Sequence, residues 1–292
     1  MPASHQVAPF TRRTNSGDIS MKRVLGGMVM AAALSGSGFA ADLGAHTYAK
    51  TPVIAATVNA WSGWYAGLNA GGVWGQADPG ASVLNGPDGY FFAGNVPAVN
   101  AVAQNQSRLK PSGATIGGQV GYNWQFSNVV AGFETDVQYF RQSARTSSTG
   151  IYPFNAPDTF TFSSSVSTDW LWTFRPRIGV LLLPSFLLYA TGGVAVSEMK
   201  ANFAFDDTFE THAHESGAFS KTKAGWVVGA GGEYALHNGW SVKAEYLHLD
   251  FGSESITSNN LVFGGTSFPS TVFTHSVNLR SDIVRAGVNY HF

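Results

Sequence analysis

The chain has 292 residues, of which 12% are charged and 13% aromatic, with 34 glycines, no cysteine and a formal net charge of -1. So low a charge content is unusual for a water-soluble chain of this length, and the balanced charge offers no basic face for nucleic acid. The lack of cysteine removes disulfides, thiol catalysis and thiolate metal sites together, and past the leader no run of 18 apolar residues could form a membrane helix.

Residues 1–40 read as a targeting segment. Met21-Lys22-Arg23 supplies a positive start, Val24 to Leu34 an apolar core, and Gly38-Phe39-Ala40 a small-x-small site that places cleavage between Ala40 and Ala41. Residues 1–20 are polar and precede a second methionine, so Met21 is taken as the start of translation, the alternative being an extended charged leader. Residues 41–60 carry small apolar residues without periodicity and are expected to form a flexible periplasmic tail.

From Trp61 to Phe292 alternating segments recur between turn residues. Eight strands are expected, over 61–75, 112–124, 129–140, 168–182, 186–199, 222–236, 239–251 and 277–292. Three connections are tight, at 125–128, 183–185 and 237–238, where Asn238-Gly239 is a strong hairpin signal. Four are long and rich in Ser, Thr, Asn, Gly and Pro, at 76–111, 141–167, 200–221 and 252–276. Short turns on one side and long loops on the other predict an all-β fold, an eight-stranded antiparallel up-and-down transmembrane barrel with both ends in the periplasm. In the last strand Phe292, Tyr290, Val288, Ala286 and Val284 share one face and His291, Asn289, Gly287 and Arg285 the other. A half-buried sandwich strand would show that alternation too, but the aromatic Phe292 at the end favours a membrane rim.

If odd strands run outward, Trp61, Trp64, Trp124, Tyr234, Trp240, Tyr290 and Phe292 form a periplasmic belt. Trp74, Tyr139, Phe140, Trp170, Trp172, Trp226 and Phe251 then form an outer one.

Charged residues fall on the opposite, inward face: Glu134, Asp136, Arg175, Arg177, Glu233, Lys243, Glu245 and Arg285. Facing lipid at mid-depth, each would cost about 2–4 kcal/mol, whereas inside four acids and four bases can pair. Two roles fit this set: an ion path or gate, and a plug of salt bridges, which is favoured because eight strands leave an interior that side chains just fill. Gly63, Gly67, Gly71 and Gly75, with Gly113, Gly117 and Gly121, lie on the same face and are expected to make room for long side chains from the opposite wall. His212-Ala-His214-Glu215 has ligand types and spacing suited to a metal or haem, although a solvated loop carries such residues incidentally. Gly229-Ala-Gly231-Gly232 lies within a strand and lacks the helix that a nucleotide loop requires.

The opening Trp61-Ser-Gly-Trp-Tyr-Ala-Gly-Leu-Asn-Ala-Gly-Gly-Val-Trp-Gly75 resembles that of small alphaproteobacterial outer-membrane proteins with an OmpA-like barrel, the porin-family surface antigens. Gly117-Gly-Gln-Val-Gly-Tyr-Asn-Trp124, Leu188-Tyr-Ala-Thr-Gly-Gly-Val-Ala195, Gly239-Trp-Ser-Val-Lys-Ala-Glu-Tyr-Leu-His248 and the final strand follow in the family's order. The resemblance implies an outer-membrane location, a role in envelope integrity, surface exposure and limited permeability, and contact with outer-membrane lipid and with the barrel assembly machinery that reads the terminal Phe292; it brings no catalytic residue with it, and no cofactor is expected. Three functions are therefore weighed: first a structural, surface-exposed barrel supporting envelope integrity, second a narrow passive pore, and third a loop-based metal or haem binder or enzyme.

Overall fold

The structure, a computed structural model, describes residues 61–292. The expected start at Met21, cleavage at Ala40 and Ala41, and tail over 41–60 lie outside the described residues. In chain order the elements are β1 (Gly63–Gln76), β2 (Pro79–Asn85), α1 (Val96–Gln104), β3 (Ser112–Phe126), β4 (Val129–Ile151), β5 (Thr159–Leu183) and β6 (Phe186–Asp207). They are followed by β7 (His214–Ala235), β8 (Trp240–Ser258), β9 (Val262–Phe263), β10 (Thr266–Ser267) and β11 (Thr271–His291).

β1, β3, β4, β5, β6, β7, β8 and β11 pair antiparallel in that order, and β11 returns to β1, from Tyr65↔His291 to Gln76↔Arg280. The ring of eight strands is closed, so none of them has an unpaired edge within the band that faces lipid. β2 resumes the path of β1 beyond Ala77-Asp78 and pairs with the far half of β11, from Val277↔Pro79 to Thr271↔Asn85.

The three tight turns lie where expected, all at one end. In the β7–β8 turn Asn238 and Gly239 both have positive φ, 61° and 81°, the conformation that Asn-Gly adopts at little cost. A Cβ on Gly239 would also sit 2.9 Å from the His291 carbonyl oxygen. Gly239→Ala is therefore expected to destabilise the barrel by about 1–2 kcal/mol, read as a lower urea midpoint with unchanged slope.

The four long connections are not loops. Segments 141–167 and 200–221 are mostly strand, extending β4, β5, β6 and β7 to turns at 152–158 and 208–213, while 252–276 extends β8 and β11 around the small β9–β10 hairpin. Segment 76–111 holds β2 and α1. β5 has 25 residues, about 80 Å of strand, whereas a tilted membrane strand needs roughly 9–11 residues.

The chemistry of the two faces explains the missed extensions. Toward the tight turns the outward residues Val137, Phe174, Ile178, Leu188, Val242 and Val288 are exposed and apolar, while the inward ones include the charged and amide side chains from Glu134 to Asn289. Farther along the same strands the outward positions become Arg141, Asp169, Glu198, Lys200 and Arg280, and the inward ones Phe160, Phe162, Phe203, Phe205 and Phe273. The period of two persists but its polarity inverts, as it must where a strand leaves lipid for water. Ser and Thr at the outward positions then make a strand look like loop.

The interior is filled along its length. Trp61, Val130, Leu187 and Tyr189 form an apolar cluster at the tight-turn end. Above the charged residues comes a long apolar core that includes Val73, Phe140, Leu171, Val227, Leu247, Leu249 and Ile283. At the far end Phe91, Tyr152, Phe160, Phe162, Phe205 and Phe273 pack with Val99 and Ala103 of α1. Asn100 of α1 fastens the helix there, its side chain accepting from Val83 N at 2.8 Å and donating to Val83 O at 3.0 Å. Three belt assignments need correction accordingly. Trp61 is buried at the barrel mouth, its Nε1 donating to the Pro184 carbonyl at 3.2 Å, and Phe140 and Phe251 point into the core, since their strand parity matches the inward carboxylates and not the outward tyrosines. Trp64, Trp124, Tyr234, Trp240, Tyr290 and Phe292 at one end, and Trp74, Tyr139, Trp172 and Trp226 at the other, are outward and exposed.

Candidate functional site

All eight charged residues expected in the lumen meet in one buried layer, each no more than 4% exposed. Strand alternation aims them inward; ring closure brings β4, β5, β7, β8 and β11 within side-chain reach. Glu134 is the hub. It accepts from Arg175 Nη2 at 2.6 Å, from Lys243 Nζ at 2.7 Å, from the Tyr65 hydroxyl at 2.9 Å and from Arg285 Nη2 at 3.4 Å. Arg175 also reaches Asp136 at 2.8 Å and Glu245 at 3.1 Å. Arg285 bridges Glu245 at 2.5 Å and Asp136 at 3.1 Å.

Arg177 pairs with Glu233 at 3.1 Å and donates from Nε to Asn123 at 2.9 Å. Its guanidinium lies over the rings of Tyr65 and Tyr189, 4.6 and 5.1 Å from their centroids, a favourable cation–π geometry away from water. Glu233 further accepts from Ser241 at 2.5 Å and Asn289 at 2.7 Å, and Asp136 from Gln138 at 2.7 Å and Thr173 at 2.9 Å. Four acids against four bases leave the layer neutral. That neutrality and dense hydrogen bonding are what allow so many charges to be buried at once.

Three network members were not anticipated, Tyr65, Tyr189 and Thr173, whereas Asn123 and Asn289 lie on the inward faces expected of them. Tyr65 could have been found, because it lies between Gly63 and Gly67 on the inward face of β1. The glycine face is inward as expected, but its reason differs. A Cβ on Gly71 would meet Arg285 Cβ at 2.7 Å, one on Gly117 would meet Gln138 Cγ at 2.7 Å, and one on Gly121 would meet the Tyr65 hydroxyl at 2.2 Å. These side chains come from adjacent strands, not the opposite wall. Each glycine lets a neighbour fold across it.

The His212-Ala-His214-Glu215 motif does not converge. His214 points outward to Asp206 at 2.7 Å, His212 Nδ1 meets the Asp207 backbone oxygen at 2.7 Å, and Glu215 is buried inside against His275 Nε2 at 3.1 Å. Alternation along β7 separates His214 and Glu215 onto opposite faces. Outside the lipid band, β7 and β8 part above Trp226↔Asp250. There Glu254 holds Lys221 and Lys223, and those two hydrogen bonds lower its carboxyl to about 2.

A family model described as "Outer membrane protein beta-barrel domain" matches residues 28–292. The "31 kDa outer-membrane immunogenic protein" of Brucella melitensis is 34% identical over 235 residues, covering 80% of this chain and 84% of that one. The "25 kDa outer-membrane immunogenic protein" of Brucella abortus is 25% identical over 269 residues, covering 91% and 97%. The crystal structure of the outer membrane protein OprG from Pseudomonas aeruginosa matches with a TM-score of 0.37 and 11% identity, over 79% of this chain and 97% of that one. The closed ring of eight strands, its apolar outward band, the family match over residues 28–292 and the Brucella melitensis relative lead to one conclusion: the chain belongs to the outer membrane protein β-barrel domain family and resides in the outer membrane.

Proposed function

We propose that the protein is a non-conducting, surface-exposed structural barrel that contributes to envelope integrity and, like its relatives named as immunogens, presents its outer end as an antigen. The observation that carries this reading is the filled interior. Solute passing through would have to cross Trp61 and Leu187, the charged layer, and then the apolar core around Phe140, Leu171, Leu247 and Ile283. The charges hold the wall together from inside; they do not line a path. The narrow-pore reading has the charged layer in its favour, but the polar groups buried above it, such as Gln142 and Ser281, close on each other at 2.7 Å within the apolar core. For an enzyme, Ser241 Oγ does meet His291 Nε2 at 3.1 Å, but Glu233 engages that same nitrogen at 3.3 Å, and among the described residues no third group orients the ring from its other nitrogen as a nucleophile–base pair requires. The exposed Phe292, whose ring packs 5.3 Å from Tyr290, is the handle we propose for the assembly machinery, and outer-membrane lipid is the partner of the outward apolar band.

Because the chain contains no cysteine, single cysteines report exposure cleanly. Glu210→Cys, on the β6–β7 turn, is expected to react with a membrane-impermeant maleimide on intact cells. His237→Cys, on the β7–β8 turn, is expected to react after the outer membrane is opened. The reverse pattern would overturn surface presentation of the extended end.

A further inference from the structure

The outer end of the barrel holds a cavity of about 170 Å³ whose walls include Tyr90, Phe91, Tyr152, Phe209, Phe263 and Phe268. These residues come from four separate segments that the barrel tips bring together. Tyr90 sits at the centre, its ring 5.1 Å from Phe91, 5.3 Å from Phe263 and 5.5 Å from Phe268, while Phe209 stacks on Phe263 at 5.8 Å. Phe209, Phe263 and Phe268 are partly exposed, so the cavity reaches the surface.

Behind the rings lies Asp207, 5% exposed. Its carboxylate accepts from the Tyr90 hydroxyl, from the Tyr152 hydroxyl at 3.0 Å and from Ala213 N at 2.7 Å. Burial and this carboxylate push both phenols above their ordinary range, which keeps them protonated as donors. Among the described residues no cationic side chain pairs with Asp207. The segments that form the tip, 85–107, 150–160, 206–214 and 259–274, contain Asp88, Asp158, Asp206, Asp207 and Glu210 and not one Lys or Arg. The field at the cavity is thus negative, and the face of each aromatic ring is the negative pole of its quadrupole.

We propose that this cavity binds a small organic cation of the quaternary ammonium class. Such a cation has no hydrogen bonds to lose on leaving water, and it gains most from several aromatic faces backed by a carboxylate. Asn95 and Asn155 also line the cavity, but their side-chain oxygens are already engaged, Asn155 Oδ1 by Asn95 Nδ2 at 2.9 Å and Asn95 Oδ1 by Phe154 N at 3.2 Å. A primary ammonium would therefore leave donors unpaired, and a metal ion would find the Asp207 oxygens engaged too. Anions are repelled by the five carboxylates.

The test is calorimetric titration of the full chain, extracted folded from outer membranes in a non-ionic detergent, with choline and its neutral isostere 3,3-dimethylbutan-1-ol. Saturable one-to-one binding of choline is expected, with the alcohol weaker by about tenfold or more. Asp207→Asn and Phe263→Ala are each expected to weaken choline about tenfold. Asp158→Asn removes a charge near Tyr90 and Tyr152 from a residue outside the cavity wall, and is expected to weaken choline about two- to threefold in a salt-sensitive way. That variant guards against local misfolding at Asp207. Absence of saturable choline binding, equal binding of the neutral alcohol, or indifference to both Asp158→Asn and salt would each overturn the proposal.

Discussion

Substituting Glu134 with glutamine is expected to destabilise the barrel by about 3–5 kcal/mol, the cost of breaking a buried ion network by removing one partner. Glutamine fills nearly the same space, so the loss is one of charge. Lys243 has both of its hydrogen bonds on Glu134 and would be left as an unpaired ammonium, while Arg175 and Arg285 would share fewer acceptors. A second change distinguishes this from simple loss of packing. Combining Glu134→Gln with Lys243→Met restores neutrality, so the pair is expected to cost clearly less than the sum of the two single changes. Urea unfolding in detergent, followed by the heat-dependent gel shift of folded barrels, gives all the required free energies. Additive losses would show that Glu134 and Lys243 are not coupled.

Val288→Arg is expected to be damaging for the opposite reason. Val288 faces outward between Leu68 of β1 and Val242 of β8, both exposed and apolar, with the Tyr290 girdle one outward position below. An arginine there must enter lipid or bend toward the rim, at a cost between the roughly 2–4 kcal/mol of mid-depth and the roughly 0–1 kcal/mol of the interface. The folded, heat-modifiable fraction in outer membranes should fall. An arginine at Thr149, outward on the extended part of β4, should be tolerated, because that face meets water. If Val288→Arg folds normally, the inward and outward faces have been exchanged.

The eight strands within the lipid band were legible because two physical demands reinforce each other there. Charges such as Glu134 and Arg175 cannot face lipid, and residues such as Val137 and Ile178 gain nothing inside a polar lumen, so alternation assigns both faces. Beyond Tyr139 the second demand reverses. Phe160 and Phe162 turn inward against Phe205 and Phe273, and Ser163, Ser165 and Ser167 turn outward to water, so the strand keeps its period but loses the polarity by which it was recognised. Residues of α1 offered no better cue, since the helix exists to seat Val99 and Ala103 on a core that only the assembled tips create.

The charged layer was legible as a set but not as a network. Glu134 and Lys243 sit on β4 and β8, which are not neighbours in the ring, and nothing local says that one reaches the other. The stacking of Tyr65 and Tyr189 around Arg177 likewise depends on three strands meeting. His214 and Glu215 show the converse: ligand types adjacent in sequence were separated by the pleat. The Trp61 side chain was misplaced because an aromatic at a strand mouth can face lipid or close the lumen, and its partner Pro184 is far away in the chain.

The filled interior is tested most directly by single-channel recording of the folded barrel in a planar bilayer, with Glu134→Gln and Arg175→Gln variants alongside. The account predicts an inserted barrel with no reproducible conductance steps. Steps from the native chain whose size changes in either variant would make the charged layer an ion path and contradict it.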